Sequence, residues 1–181
     1  MIFKTERLIL RPWELSDAES CYRYAKDPQV GPIAGWPCHT SVENSGEIIQ
    51  NVLMVPETYA VCLKTDNLAI GSIGLMFGEK SNIEMEKGDA EIGYWIGVPF
   101  WGQGLIPEAV RELIRYAFDE LRVKTLWCGY FDGNEKSKRV QEKCGFEYQY
   151  TKKDVDWPLM QDIRTEHITC LKIDMMRHKQ I

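Results

Sequence analysis

Residues 89–122 read DAEIGYWIGVPFWGQGLIPEAVRELIRYAFDELR, and their order of strand, glycine turn and amphipathic helix decides the fold. Residues 90–97 are rich in Ile, Tyr and Trp, which suit a half-buried pleated surface, and Val98-Pro99 ends them because proline donates no ladder hydrogen bond. Trp101-Gly102-Gln103-Gly104-Leu105-Ile106 then leads into Pro107, expected at the first helical position, where an amide has no partner anyway. Val110, Leu113, Ile114, Ala117, Phe118 and Leu121 follow at helical spacing, with Arg111, Glu112, Arg115, Asp119 and Glu120 opposite them. A glycine-flanked turn opening a helix offers unpaired N–H groups and the positive end of a dipole, which suits an anion such as phosphate. A tight turn without a ligand has the same local pattern. Neither Gly-x-x-x-x-Gly-Lys-Ser/Thr nor Gly-x-Gly-x-x-Gly is met.

Bulk properties narrow the field. A chain of 181 residues, 44% hydrophobic and 27% charged, suits one globular domain with a substantial core. A net charge of −5 with no basic stripe argues against a nucleic-acid partner. Lys136, Lys138, Arg139 and Lys143 form the densest basic group, readable as a solvated helix face or a partial phosphate contact. The 6 cysteines are scattered and include no Cys-x-x-Cys pair, so they are expected to be free thiols packing as small hydrophobes. With no leader or long apolar run, the chain is expected to be soluble and cytoplasmic, away from membranes. His39, His167 and His178 lie too far apart to suggest a metal site, and none is expected.

A second stretch follows one strand later: Asn134-Glu135-Lys136-Ser137-Lys138-Arg139-Val140-Gln141-Glu142-Lys143-Cys144-Gly145-Phe146. Together the two stretches resemble the GCN5-related N-acetyltransferase (GNAT) family, in its branch of ribosomal-protein N-terminal acetyltransferases. Trp101 to Ile106 lies on that family's pyrophosphate loop, Gln/Arg-x-x-Gly-x-Gly/Ala: Gly104 matches, Trp101 stands for Gln or Arg, and Ile106 replaces the small residue. Asn134, Ser137, Val140, Gly145 and Phe146 meet the downstream pattern, and Thr5-Glu6-Arg7-Leu8-Ile9-Leu10-Arg11-Pro12 looks like the branch's first strand.

The resemblance implies an α/β (α+β) fold: a mixed, mostly antiparallel sheet flanked by helices and splayed between its fourth and fifth strands, here 90–97 and 125–131, with acetyl-CoA in the gap. It implies donor contacts at Ile96, Gly97, Gly102, Gln103, Gly104, Leu105, Ile106, Asn134, Ser137 and Arg139. For Asn134 a plain helix cap is an equal reading, and both roles are compatible.

The rest of the chain interleaves strands and helices. A first strand is expected over 3–13, capping boxes at Ser16-Asp17-Ala18-Glu19 and Thr40-Ser41-Val42-Glu43, and helices over 17–26 and 41–54. Residues 29–39 are read as a loop, 58–64 and 68–77 as a hairpin, 78–88 as a flexible connection and 125–131 as a strand. A short helix opens at Asn134, a strand covers 146–152, a mixed loop 154–165 and a closing strand 167–173, with 176–181 frayed.

Acetyl transfer from a thioester to an amine needs the donor held, the amine deprotonated and the thiolate stabilised. Glu91, sharing a strand face with Gly93 and Trp95, is either the base or a carboxylate anchoring substrate or a loop. Glu84, Glu86 and Asp89 read as solvated loop charges. Many family members carry an acid tyrosine four residues after the position of Ser137, where this chain has Gln141. Ser137 is then the best remaining hydroxyl for the acid role, with Tyr94, Tyr130 and Tyr148 in reserve, each read first as a core-packing residue.

The expected activity is acetyl transfer from acetyl-CoA to a primary amine, a protein N-terminus or a small molecule, by direct attack. The chain is expected to work as a monomer or homodimer. A catalytically idle acyl-CoA-binding or regulatory domain is the alternative, on account of Gln141 and Ile106.

Overall fold

The computed structural model describes residues 1–173, so the expected frayed tail lies outside the described residues. Eight strands form one sheet: β1 (Phe3–Lys4), β2 (Leu8–Arg11), β3 (Thr58–Leu63), β4 (Ala69–Met76), β5 (Ala90–Ile96), β6 (Thr125–Phe131), β7 (Glu147–Trp157) and β8 (Asp162–Lys172). Their spatial order is β1-β2-β3-β4-β5-β6-β8-β7, and every neighbouring pair is antiparallel except β5–β6. The α-helices are α1 (Ala18–Ala25), α2 (Gly31–Ala34), α3 (Val42–Ile48), which a π-helical segment (Ile49–Leu53) continues, α4 (Leu105–Asp119) and α5 (Glu135–Lys143).

The two faces of the sheet separate cleanly. On β3, Tyr59 and Val61 join the core built on α4, whereas Ala60 and Cys62 join the cluster of Trp13, Cys21, Ala25 and Ile49 on the side of α1 and α3. This is the period-two alternation of a strand buried on both faces. Leu105, Ile106, Ala109, Val110, Leu113, Ile114, Ala117 and Phe118 are buried on α4, while Arg115 pairs with Glu112 and Glu120 on the wet side. Leu121, expected on the buried stripe, lies beyond the helix end and is exposed.

Several local expectations are corrected. The first strand is two, because the Thr5 hydroxyl accepts from Leu8 N (3.1 Å) while Thr5 N donates to Leu8 O (3.0 Å), reversing the chain. The expected fourth and fifth strands are therefore β5 and β6. Pro107 stands two residues inside α4, since left-handed Gly104 is the N-cap. The cap before α3 is Ser41, whose Oγ accepts from Asn44 N (3.0 Å). Ahead of α1 it is Asp17, not Ser16, that accepts from a backbone amide, Glu14 N (3.0 Å). The loop 29–39 holds the short α2, which Pro32 helps to start. The mixed loop 154–165 is instead the end of the β7–β8 hairpin, with Val155 opposite Arg164 and Trp157 opposite Asp162. Left-handed Asp154 falls at the register shift of that hairpin, which breaks the alternation a strand reading depends on.

Arg11 and Asp17 form a buried two-pronged ion pair (2.8 and 2.7 Å) that ties β2 to the start of α1. Asp17→Asn leaves the guanidinium buried without its counter-charge, so urea unfolding should show a loss of about 3 kcal/mol. A loss below about 1 kcal/mol, the range of exposed pairs, would contradict that reading.

Candidate active site

The sheet opens at the one parallel junction among the described residues. Ala90 pairs with Leu126 and Glu91 with Trp127; beyond them, among the described residues, β5 pairs as a strand only with β4, and β6 only with β8. The strands therefore part immediately after Glu91, leaving a wedge whose edges carry backbone groups free of ladder bonds. The wedge is accessible to side chains from both faces of the sheet.

On the α1–α3 face stand Glu91 and Trp95, the latter packed against Trp13 and Trp36. Glu91 is 8% exposed, and Ser81 donates its hydroxyl to Oε2 at 2.5 Å. Burial pushes the Glu91 carboxyl up to about 7; the Ser81 hydrogen bond works against this, and nearby Glu166 adds to it. Glu166 comes from β8, and its Oε1 lies 2.5 Å from where a Cβ on Gly129 of β6 would stand. A side chain at position 129 would make this carboxylate shift from its place. Asn82 Nδ2 donates to both Glu166 oxygens (3.2 and 2.9 Å), and Lys152 Nζ donates to the Asn82 carbonyl (2.9 Å). Burial raises the Glu166 carboxyl as well. Neither carboxylate has an ion-pair partner among the described residues. The connection 78–88 therefore holds both acids through the consecutive residues Ser81 and Asn82. Asp89, expected to be solvated, is buried and accepts from Thr125 N (3.2 Å) and Trp127 Nε1 (3.0 Å), fixing the foot of β6 beside the junction.

On the α4–α5 face the Tyr94 hydroxyl meets Ser137 Oγ at 3.1 Å and donates to the Ser137 carbonyl at 3.2 Å. Burial raises the phenol well above its ordinary value, so it stays protonated and acts as a donor. Gln141 is buried and bridges three elements: Nε2 donates to Ser137 Oγ (3.2 Å) and Gly129 O (3.1 Å), and Oε1 accepts from Thr169 Oγ1 (2.7 Å). Position 141 carries no hydroxyl, yet a tyrosine hydroxyl reaches the same face of α5 from β5.

The loop before α4 supplies a row of unused donors. The amides of Gly102, Gln103, Gly104, Leu105 and Ile106 donate to no backbone or side-chain acceptor among the described residues, and Pro107 has no N–H. Gly102 and Gly104 are both left-handed at φ +75°, with open space where a Cβ on Gly102 would point. Ile106 is buried in the core, so its bulk does not intrude on the loop. Trp101 donates Nε1 to the Ile96 carbonyl (3.0 Å), and Lys136 of α5 lies over its ring at 4.2 Å. Lys136 is thereby brought to the loop; Arg139 is exposed and has no ion-pair partner among the described residues. Gly97 closes β5 with its N–H on Ile70 O (2.9 Å), against the ring of Tyr24.

Gly104→Val should lower CoA affinity tenfold or more, about 1.4 kcal/mol. Forcing a branched residue into the left-handed region should also cost about 1–2 kcal/mol of stability. Calorimetric titration well below the melting temperature separates the two effects; a folded variant with unchanged CoA affinity would remove the loop from the donor site.

A family model described as an acetyltransferase (GNAT) domain matches residues 7–147. The chain belongs to the GNAT acetyltransferase family. The uncharacterized N-acetyltransferase p20 of Bacillus licheniformis is 31% identical over 157 residues, covering 84% of this chain and 85% of that one. A GNAT-family acetyltransferase of Bacillus anthracis superposes with a TM-score of 0.81 at 22% identity, covering 95% of this chain and 98% of the other. A ribosomal-protein-S5-alanine acetyltransferase of Vibrio fischeri shares the fold at a TM-score of 0.70 and 21% identity, with 96% and 97% coverage. The protein is an acetyl-CoA-dependent N-acetyltransferase.

Within this GNAT domain nine of the ten expected donor contacts fall into three groups, and Arg139 lies apart, exposed on α5. Gly102 to Ile106 form the amide row, Ile96 and Gly97 end the strand beside it, and Asn134 with Ser137 opens α5. Asn134 is the N-cap in fact: Oδ1 accepts from Ser137 N (3.2 Å), while Nδ2 donates to Ile33 O (3.5 Å). The two stretches 29–39 and 154–165 meet as one rim, where Trp157 Nε1 donates to Gly35 O (2.7 Å) and Arg164 donates to Pro32 O (2.9 Å). Sequence reasoning missed Glu166, Ser81 and Asn82, which reach the wedge only through the β6–β8 register and the fold of the connection. Glu166 left one trace in the sequence, the small residue Gly129 in an otherwise bulky strand.

Proposed function

We propose that this GNAT domain acetylates a primary amine by direct attack, with acetyl-CoA threaded through the wedge between β5 and β6. The observation that carries the reading is the pairing of unlike groups across that wedge: the Glu91 carboxylate on one face, the protonated Tyr94 hydroxyl with Ser137 on the other. The loop fits the donor's pyrophosphate because it offers consecutive free amides at a helix N-terminus with glycines in front of them.

The bound thioester supplies an activated acetyl carbon. Glu91 takes the proton that the amine nitrogen loses as its bond to that carbon forms, directly or through water; a carboxyl near 7 is suited to this task at neutral pH. The Tyr94 hydroxyl, positioned by Ser137, turns its single hydrogen from the Ser137 carbonyl toward the departing sulfur and hydrogen-bonds it as the carbon–sulfur bond breaks; burial keeps the proton on the phenol, and the sulfur leaves as the CoA thiolate. Glu166 and Lys152 set the local field around Glu91. Burial works against a covalent route through five of the six cysteines: it pushes Cys21 and Cys62 up to about 12 and Cys144 up to about 11, and raises Cys128 and Cys170. The amine is an N-terminal or small-molecule amine, selected by the rim of 29–39 and 154–165. An idle domain is disfavoured because Ile106 leaves the loop clear and Tyr94 provides a hydroxyl beside Gln141.

Thiol release from acetyl-CoA, screened against protein N-terminal peptides, amino acids, polyamines and amino sugars, tests the reading. Amine-dependent release with at least one class supports it, and none across the panel would overturn it.

A further inference from the structure

The loop that fits the pyrophosphate carries an apparent contradiction. Glu108 lies in the first turn of α4, the place a phosphate anion is to approach, and a carboxylate there opposes it. The turn between β1 and β2 answers this. Arg7 Nε donates to Glu108 Oε2 (2.7 Å) and Arg7 N to Glu108 Oε1 (2.7 Å), and the Thr5 hydroxyl donates to the same Oε1 (2.5 Å). Arg7 Nη1 donates to the carbonyl of Gln103 (2.9 Å), inside the loop itself. Arg7 Nη2 stands 3.7 Å from where a Cβ on Gly104 would lie. Lys64 Nζ donates to the Thr5 carbonyl, securing the turn from behind.

We propose that Arg7 is a positioning residue for the acetyl donor: by neutralising Glu108 it lets the first turn of α4 present a net positive face to the pyrophosphate. The proposal rests on the donor site given above. Glu108 is held ionised, because hydrogen bonds from Thr5 and Arg7 outweigh the effect of burial and keep its carboxyl below the usual range. Removing Arg7 then exposes a fixed negative charge beside the phosphates. Removing both charges restores the balance, which a purely structural brace does not do.

The test is calorimetric titration of CoA into the wild type, Arg7→Met, Glu108→Gln and the double variant, at low and high salt, each preceded by a melt. Arg7→Met should weaken CoA about fivefold at low salt, the effect of one unscreened charge within about 10 Å, and the deficit should shrink at high salt. The double variant should return to within about twofold of wild type, and Glu108→Gln alone should bind CoA at least as tightly as wild type. A double variant as weak as Arg7→Met, or a deficit indifferent to salt, would overturn the proposal in favour of a brace. If Arg7→Met does not fold, Glu108→Gln decides, since weaker CoA binding there contradicts charge neutralisation. Wild type that binds no CoA is a different result and would fail the donor site itself.

Discussion

Glu91→Gln is expected to slow amine acetylation by about 10²–10⁴-fold, the range of a lost general base, while CoA affinity stays at the wild-type value. The glutamine keeps the shape and can still accept the Ser81 hydrogen bond, so what is removed is proton acceptance. Measured with an amine that is already neutral, the wild-type rate should rise with pH and level off above about 7, as Glu91 ionises, and the variant should lose that rise. Stability should move the other way. A carboxyl raised from 4.5 to about 7 in the folded chain holds its proton more tightly than the unfolded chain does. Its contribution is present in full below 4.5 and is lost as pH rises through about 7, leaving a buried charge that costs about 3 kcal/mol at higher pH. Glu91→Gln should therefore melt higher than wild type above pH 7, by several degrees for a chain of this size. A variant that is slow but no more stable, with weakened amine binding, would make Glu91 an anchor.

Tyr94→Phe should lower kcat about a hundredfold and leave the pH rise in place, because its hydroxyl serves the leaving group rather than the amine. The ring stays in the core, so folding should change by no more than the lost hydrogen bond, about 1 kcal/mol. Ser137→Ala should have a smaller effect of the same kind, since Tyr94 keeps a second bond to the Ser137 carbonyl. Donors with more acidic thiols should narrow the Tyr94→Phe deficit, because a better leaving group needs less help. Equal loss with every donor would place Tyr94 in the packing of α5 against β5 and nothing more.

The fold was legible wherever a residue's role depends on close neighbours in the chain. The stripe on α4 and the cap at Asn134 follow from residues 89–146, whereas the parting of β5 from β6 was implied only by the family resemblance. Asp89 shows the limit: a carboxylate in a charged stretch reads as solvated until β6 is laid beside it and donates Thr125 N and Trp127 Nε1. The site was legible on the β5 side, where an acid interrupts an apolar strand, and at the glycine turn. It was not legible for Glu166, which is placed by the pairing of Phe131 with Glu166 across β6 and β8. Tyr94 was visible as a residue, but its hydroxyl acquires meaning only through Ser137, which the wedge brings to 3.1 Å. The β1–β2 reversal hid in the Thr5 side chain, and with it the link from Arg7 to the loop.

Direct transfer is most sharply tested by a single turnover followed by intact mass. The protein is mixed with less than one equivalent of isotopically labelled acetyl-CoA, first alone and then with an amine drawn from the release screen, and quenched over time. Direct attack requires that the chain keep its unmodified mass in both arms and that label pass to the amine as CoA forms. Label appearing on the chain before it appears on the amine, at a cysteine or at Ser137, would contradict it.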